Sequence, residues 1–364
     1  MENQVTKNNL DRLKFSILVP VYNEEDTIDA FFKRIDPVIQ EIENQFNLDV
    51  EVIFTDNASE DQTFEKLLNH AKSRPYVKLY RFSRNFGFQR SILSGYSLTN
   101  GAACVQIDCD LEDPPELIIK FIEKWLEGYK IVYGIRKKRM ESKSLHYART
   151  VFYKVINLLS EINIPEHAGD FRLIDRRVIN IICQVNDAEP YLRGLIGSLG
   201  FKQMGIEYDR SARVAGTSSF SISSYLSLAT EGIVQSSIKP LNISLYMSAI
   251  VMVVSAMMAI YYIYGTIFGD YPPEARGFAT IVVLGLFQFS FLLFVIGLNS
   301  LYLGRVYRQV FKRPISIIDK SNVEVKLDEK IPTYWPSEPY KSTEDEQFLD
   351  NIGKRHNKDA SDGS

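Results

Sequence analysis

The chain has 364 residues, 45% apolar and 24% charged, with a formal net charge of -3. That length supports at least two folded units with buried cores, and the lack of a basic excess excludes the global field that draws proteins to nucleic acid. Cys104, Cys109 and Cys183 have neither zinc-site spacing nor the density of a secreted disulfide framework, which suits a reducing compartment.

The opening MENQVTKNNLDRLK is polar and carries no signal-type apolar run. FSILVP (15–20), VEVIFT (50–55), VKLYRF (77–82) and ACVQID (103–108) predict short strands. After the first, residues 26–46 bring Ile28, Phe31, Phe32, Ile35, Ile39 and Ile42 to one helical face. Ser59 with Gln62 predicts a capping box opening the next helix. Strands alternating with helices predict right-handed crossovers and an α/β fold whose sheet is mostly parallel.

Ligands of such sheets bind beyond the carboxyl ends of the strands. PVYNEED, DNASEDQT, SRNFGFQR and DCDLEDPPE each follow one predicted strand, so all four are expected on one rim. No G-x-G-x-x-G follows the first strand and no P-loop pattern occurs, which removes the main support for dinucleotide and P-loop readings. Asp108 and Asp110, leaving a strand one residue apart, can turn two carboxylates toward one hard cation, Mg2+ or Mn2+, that keeps a side open for phosphate. Cys109 between them is read as a packing residue. Asp113, before Pro114 and Pro115, and Glu116 are read as the start of the following helix, whose first turn accepts proline and favours carboxylates. His146 and His167 show no ligand spacing.

Further along, Ile222, Leu226, Ala229, Ile233 and Val234 share one face, predicting an amphipathic membrane-interface helix over 220–239. Residues 240–269 and 277–304 contain no charged residue, and about 20 apolar residues span a bilayer core. With the short connector DYPPEAR they predict a transmembrane hairpin. Lys239 precedes it and Arg305, Arg308, Lys312 and Arg313 follow, against Arg276 alone in the connector, so both termini are expected in the cytosol. Lys137, Lys138 and Arg139 are read as a surface cluster near anionic headgroups. The expected division is a cytosolic domain over 1–219, the interface helix over 220–239, the hairpin over 240–304, and a basic juxtamembrane segment with flexible tail over 305–364. Gly285, Gly297 and Ser255 allow close helix approach and point to a homo-oligomer.

Taken in order, ILVPVYNEEDTI, DNASEDQT, SRNFGFQRSILSGY, DCDLEDPPELI, YGIR, GDFRLIDRRV and ARVAGTSSFS, then two apolar helices, cover most of residues 15–304. The series resembles the family-two glycosyltransferases of GT-A fold, specifically the polyprenyl-phosphate glycosyltransferases, the group of bactoprenol glucosyltransferase and dolichol-phosphate mannose synthase. The resemblance implies a Rossmann-like GT-A nucleotide-sugar domain. It implies a nucleotide pocket of Pro20, Tyr22, Glu24 and Asp56, with Arg84 and Asn85 on its rim and Asp108 reaching the nucleotide sugar. It makes Asp108 and Asp110 the D-x-D pair, with Asp110 the direct metal ligand, and sets Glu112 where family members carry Gln, a third oxygen beside the metal. Where the family reads D-D-x-S, this chain has Asp56, Asn57, Ala58 and Ser59. Arg136, Arg193 and Arg213 occupy positions implied to contact phosphates, and Asp170, Arg172 and Arg213 lie at the implied reacting centre.

The family label for Asp170 is catalytic base. A phosphate monoester has its second pKa at about 6, so the acceptor is already largely dianionic, and two roles stand for Asp170: that base, or a residue positioning Arg172 or the sugar. The implied reaction is inverting transfer of glucose from UDP-glucose to polyprenyl (undecaprenyl) phosphate at the cytosolic membrane face, with GDP-mannose or UDP-GlcNAc as alternative donors. Implied partners are the nucleotide-diphosphate sugar, the lipid phosphate, the membrane and a small membrane flippase. A processive polysaccharide synthase would carry Q-x-x-R-W, and neither Trp125 nor Trp335 lies in such a motif. A non-enzymatic scaffold or channel subunit would have to conduct through two helices without intramembrane charge, a poor pathway.

Overall fold

The computed structural model describes residues 13–136, 168–185, 187, 190–209, 237–268, 276–311 and 314–319. Residues 220–236 of the expected interface helix over 220–239, the cluster Lys137 to Arg139, His146, His167, Arg213 and the tail lie outside the described residues. The chain divides into two units, one of residues 1–141, 164–219 and 313–364, the other of 142–163 and 220–312.

The first unit is built on a seven-stranded sheet of order β3-β2-β1-β4-β6-β5-β7. Its strands are β1 (Lys14–Val21), β2 (Asp49–Asp56), β3 (Val77–Arg81), β4 (Ala103–Gln106), β5 (Ile131–Arg136), β6 (Ala168–Asp175) and β7 (Gln203–Tyr208). The helices are α1 (Ile28–Phe46), α2 (Thr63–Ser73), α3 (Phe88–Leu98), α4 (Leu117–Leu126), α5 (Arg176–Gln184) and α6 (Leu192–Ser198). β1 and β2 are buried over all but their first residue, because parallel strands with both faces covered read as continuous apolar runs. On one face Phe31, Phe32 and Ile35 of α1, Phe64 and Leu67 of α2, and Phe121 of α4 pack on the sheet. On the other, Ile92 and Tyr96 of α3, Ile179 of α5 and Ile196 of α6 pack against Leu18, Ile53 and Ile174.

Pairing is parallel except where β6 runs against β4 and β5. That reversal brings the start of β6 to the carboxyl ends of its neighbours, with Arg172 opposite both Gln106 and Tyr133. Asp170 thereby reaches the binding edge from the opposite chain direction.

The predicted capping box does not form. Gln62 is the N-cap of α2 but makes no side-chain cap, and Ser59 instead donates to Asp56 Oδ1 at 2.5 Å. A carboxylate that is wholly buried needs donors more than a helix end open to water does.

At the opposite end of the sheet, Glu51 accepts from Ser16 Oγ (2.6 Å), the Asn100 amide (2.7 Å) and Lys78 Nζ (2.9 Å). Burial works against its charge, yet these donors outweigh it and hold the carboxyl below its ordinary range. Stability from a depressed carboxylate is present above its unfolded pKa and lost as pH falls through the folded one. Glu51→Gln should therefore cost about 1–3 kcal/mol at pH 7, and thermal unfolding should show the gap to wild type closing as pH drops below the ordinary carboxylate range.

Residues 314–319 cover the β3 edge. Ile318 bridges Phe82 in antiparallel sense, Ser83 N–H donates to Ile317 O at 2.9 Å and Asp319 N–H to Arg81 O at 2.8 Å. Pairing this edge removes a template for strand addition.

The second unit contains α7 (Lys239–Phe268) and α8 (Arg276–Val310). Both carry windows long and apolar enough to cross a membrane, Lys239–Met258 and Leu284–Val310, only 6% and 0% buried. Helices of a soluble core would bury such side chains. Among the described side chains of these helices, Asn299 donates to Val295 O, Ser300 to Ile296 O, and Gln288 Nε2 to Ser255 Oγ across the pair.

Candidate active site

The four polar clusters after β1 to β4 form one hydrogen-bonded rim. Asn23, in a left-handed conformation at φ 54°, turns its amide to Ser59 Oγ (3.0 Å) and accepts the Glu60 amide on Oδ1 (2.9 Å). The Glu24 amide donates to Thr63 Oγ1 at 2.7 Å, and the Gln62 amide to Glu25 Oε2 at 2.9 Å. These bonds lock the first loop to the second. Asn57 accepts the Phe86 amide at 3.0 Å, tying the second loop to the third. Thr27 Oγ1 lies 3.1 Å from Glu24 Oε2 and 3.4 Å from Cys109 Sγ, joining the first loop to the fourth.

Within this frame Pro20 is buried at the end of β1 and Tyr22 is 41% exposed beyond it. Asp56 Oδ1 accepts from the Ser59 amide and hydroxyl. Its Oδ2 is buried with no hydrogen-bond partner among the described residues, and Arg81 Nε approaches only to 3.4 Å. Burial pushes this carboxyl up against the pull of Ser59 and Arg81. An unsatisfied buried acceptor of this kind suits a ligand that brings its own donor. Arg84 is exposed and stacks on Phe86 at 4.3 Å, while Asn85 accepts the Gly87 amide at 2.8 Å.

After β4 the chain reverses at Leu111, whose φ of 60° costs a non-glycine residue roughly 1–2 kcal/mol. Its side chain is 2% exposed, and that burial holds the turn. Asp110 Oδ1 accepts the Glu112 amide at 3.0 Å, and Asp108 Oδ1 accepts Gln106 Nε2 at 2.9 Å. Cys109 packs in the core as expected. Burial, then the charges of Asp170, Asp110 and Asp113, push the Asp108 carboxyl up to about 8, with Arg136 acting in the opposite direction. Here negative charge exceeds its compensation. Among the described residues no three His, Cys, Asp or Glu side chains are gathered to hold a metal ion. The fit is to a cation that takes one or two carboxylates and draws its other oxygens from phosphate and water, the habit of Mg2+ and Mn2+.

Facing these carboxylates is a set of arginines. Arg193 of α6 forks onto Asp170, Nε to Oδ1 at 2.8 Å and Nη2 to Oδ2 at 2.7 Å. Arg172 Nη2 is 3.7 Å from Asp170 and donates to Gly169 O at 2.8 Å. Burial opposes the Asp170 charge, but the Arg193 bonds, with Arg172 and Arg136, hold its carboxyl below the ordinary range. The Leu192 amide donates to Gln89 Oε1 at 3.2 Å, which links α6 back to the first turn of α3.

One residue, Asp113, departs from its reading in the sequence, and its neighbour Glu116 keeps its place at the helix start. Asp113 does not start α4, which begins at Leu117 with backbone bonds to Pro114 O and Pro115 O; its carboxylate instead takes Tyr208 and Arg136. Glu116 does stand at the N-cap, without a side-chain cap, and pairs with Arg34 at 2.7 Å. Tyr208 was invisible to motif reading. Its only signal was a polar-tipped aromatic closing the strand pattern of QMGIEY, one residue before Asp209.

The family description "Glycosyl transferase family 2" matches residues 16–182. Over 310 residues the chain is 36% identical to the uncharacterized glycosyltransferase YkcC of Bacillus subtilis (strain 168), covering 85% of this chain and 94% of that one. It is 35% identical over 313 residues to the SfII prophage-derived bactoprenol glucosyl transferase of Shigella flexneri, covering 85% and 99%. Among solved structures, glucosyl-3-phosphoglycerate synthase from Mycobacterium tuberculosis in complex with Mn2+, uridine diphosphate and phosphoglyceric acid has a TM-score of 0.40 at 16% identity, covering 61% of this chain and 76% of that one. A likeness at that level says nothing about ligand or reaction.

Proposed function

The chain belongs to glycosyltransferase family 2, and on that premise we propose that it moves glucose from UDP-glucose to the phosphate of a polyprenyl lipid, undecaprenyl phosphate, at a membrane surface. The observation that carries this reading is a cluster of carboxylates, Asp108 with Asp110, Asp113 and Asp170, bordered by Arg136, Arg172 and Arg193 on one rim. Carboxylates for a cation and guanidinium forks for phosphate are what a reaction between two phosphate-bearing substrates requires. The relatives named bactoprenol glucosyl transferase, matched over 99% of their length, support the lipid acceptor. The helices α7 and α8, with Lys239 before them and Arg305 and Arg308 near their end, support a bilayer location with the catalytic unit on the cytosolic side.

A lipid phosphate oxygen attacks the anomeric carbon, the bond from that carbon to the diphosphate oxygen breaks, and the electron pair leaves with UDP. The configuration inverts. Mg2+ or Mn2+, held by Asp108 and Asp110 with Glu112 beside them, would offset charge on the departing diphosphate. Asp56 offers Oδ2 to a nucleotide donor, and Tyr22, Glu24, Arg84 and Asn85 border the same loops. Arg172 and Arg193 orient phosphate oxygens, and Asp170 fixes Arg193. No proton need be removed, because the acceptor's second pKa is near about 6.

The test is nucleotide release by the purified full-length chain in detergent with Mn2+. With undecaprenyl phosphate present, UDP should be released from UDP-glucose well above the release of UDP from UDP-GlcNAc or of GDP from GDP-mannose. Release that ignores the lipid phosphate, or prefers another donor, would contradict the acceptor or the donor respectively.

A further inference from the structure

Asp113 is 2% exposed, and α4 does not use it. One carboxylate oxygen accepts the Tyr208 hydroxyl and the other accepts Arg136 Nη2 at 3.2 Å. Arg136 Nε in turn donates to the Tyr208 hydroxyl oxygen at 3.2 Å. The three side chains close a ring, with Tyr208 donating to one partner and accepting from the other.

The backbone prepares this meeting. Arg136 and Tyr208 are direct register partners at the ends of the parallel strands β5 and β7, so their side chains leave the sheet on one face. Two residues earlier on that face stands Gly134, where an added Cβ would lie 2.6 Å from Tyr208 Cε1. The missing Cβ is the space the ring occupies. Phe171 meets that ring edge-on with centroids 6.2 Å apart. Asp113 then arrives from the loop that carries Asp108 and Asp110.

We propose that Asp113 is a positioning residue, which with Tyr208 holds the Arg136 guanidinium at the carboxylate end of the rim, pre-oriented for a phosphate oxygen of the substrates. A free arginine side chain carries about 2 kcal/mol of rotamer entropy, and fixing its fork beforehand reduces what binding must spend. Nε and Nη2 are engaged by Tyr208 and Asp113, while Nη1 makes no hydrogen bond among the described residues. The role rests on the reading of Arg136 as a phosphate contact in sugar transfer.

The test is a double-mutant cycle of Asp113→Asn and Arg136→Ala in the full-length enzyme, with kcat, KM for each substrate and melting temperature recorded. Asp113→Asn alone should lower kcat/KM by about 30-fold, and in the Arg136→Ala background by less than about 3-fold, because its only route to the reaction has gone. Tyr208→Phe, which removes one oxygen, and Gly134→Ala, which displaces the ring, should each weaken transfer and lose their effect in the same background. Tyr208→Phe carries the test if Asp113→Asn does not fold. Losses that multiply across the cycle, or an Asp113→Asn enzyme as active as wild type, would overturn the positioning role while leaving the sugar-transfer reading intact. A wild-type enzyme that transfers no sugar to any phosphate acceptor would remove that reading and this role with it.

Discussion

Asp110→Asn should lower kcat by about 10³-fold, equivalent to about 4 kcal/mol of transition-state stabilisation, while leaving the melting temperature close to wild type. The substitution keeps an oxygen to accept the Glu112 amide, now at 3.0 Å on Oδ1, so the turn through Leu111 should persist. What it removes is one unit of negative charge where the cation that neutralises the diphosphate is expected. Asp108→Asn should behave alike in kinetics and should not destabilise the fold. Burial and the charges of Asp170, Asp110 and Asp113 already push the Asp108 carboxyl up to about 8, so without metal the amide replaces a side chain that is largely uncharged at neutral pH. Steady-state kinetics at saturating Mn2+ and thermal unfolding without metal check both halves. Wild-type kinetics in either variant would return the pair to an ordinary solvated loop.

Asp170→Asn should cost about 10²-fold in kcat/KM yet leave the acid limb of the pH-rate profile in place. Asp170 is gripped at both oxygens by Arg193, and its carboxyl is held below the ordinary range. A carboxyl so depressed stays ionised as pH falls through 7 and 6, so it cannot produce a limb there. A limb near pH 6 is expected from the acceptor phosphate, whose second pKa is about 6, and Asp108, pushed up to about 8, is a site group that also titrates in this range. The variant loses the anchor of Arg193 rather than a proton acceptor. A kcat/KM profile from pH 5 to 9 decides it: a limb that vanishes in Asp170→Asn would make Asp170 the base after all.

The half of the sheet from β1 to β4 was legible because each strand is an apolar run covered on both faces, followed by a polar cluster. The rule that ligands gather at carboxyl ends places Glu24, Asp56, Asn85 and Asp108 on one rim from the sequence alone. The second half was harder. β6 runs antiparallel between β4 and β5, and nothing local in GDFRLIDRR announces direction; the motif was found by resemblance instead. Ser59 and Asp113 were misread for a shared reason. Each looked like a helix-start residue, but Ser59 serves the buried Asp56 and Asp113 joins Arg136 and Tyr208, partners 23 and 95 residues away in sequence. A buried charge needs its partners more than a water-exposed helix end needs a cap, and that competition is decided by tertiary structure.

The fork of Arg193 onto Asp170 had the same hidden character. Motif reading names both residues, but their contact spans 23 residues, and the helix start that carries Arg193 is tied through the Leu192 amide to Gln89. That contact is what turns Asp170 from a possible base into an anchor. Asn57, where the family commonly has Asp, also has a use that motif reading did not show: it fixes the third loop through the Phe86 amide.

The most direct measurement follows the sugar itself. The full-length chain would be incubated with Mn2+, undecaprenyl phosphate and UDP-glucose labelled at the anomeric carbon, and the lipid phase examined for label and anomeric configuration. The account predicts label in a lipid-linked glucosyl phosphate of β configuration, inverted from the α-linked donor, and none with Asp110→Asn over the same interval. Label that stays wholly in water, or a lipid product of retained configuration, would contradict it.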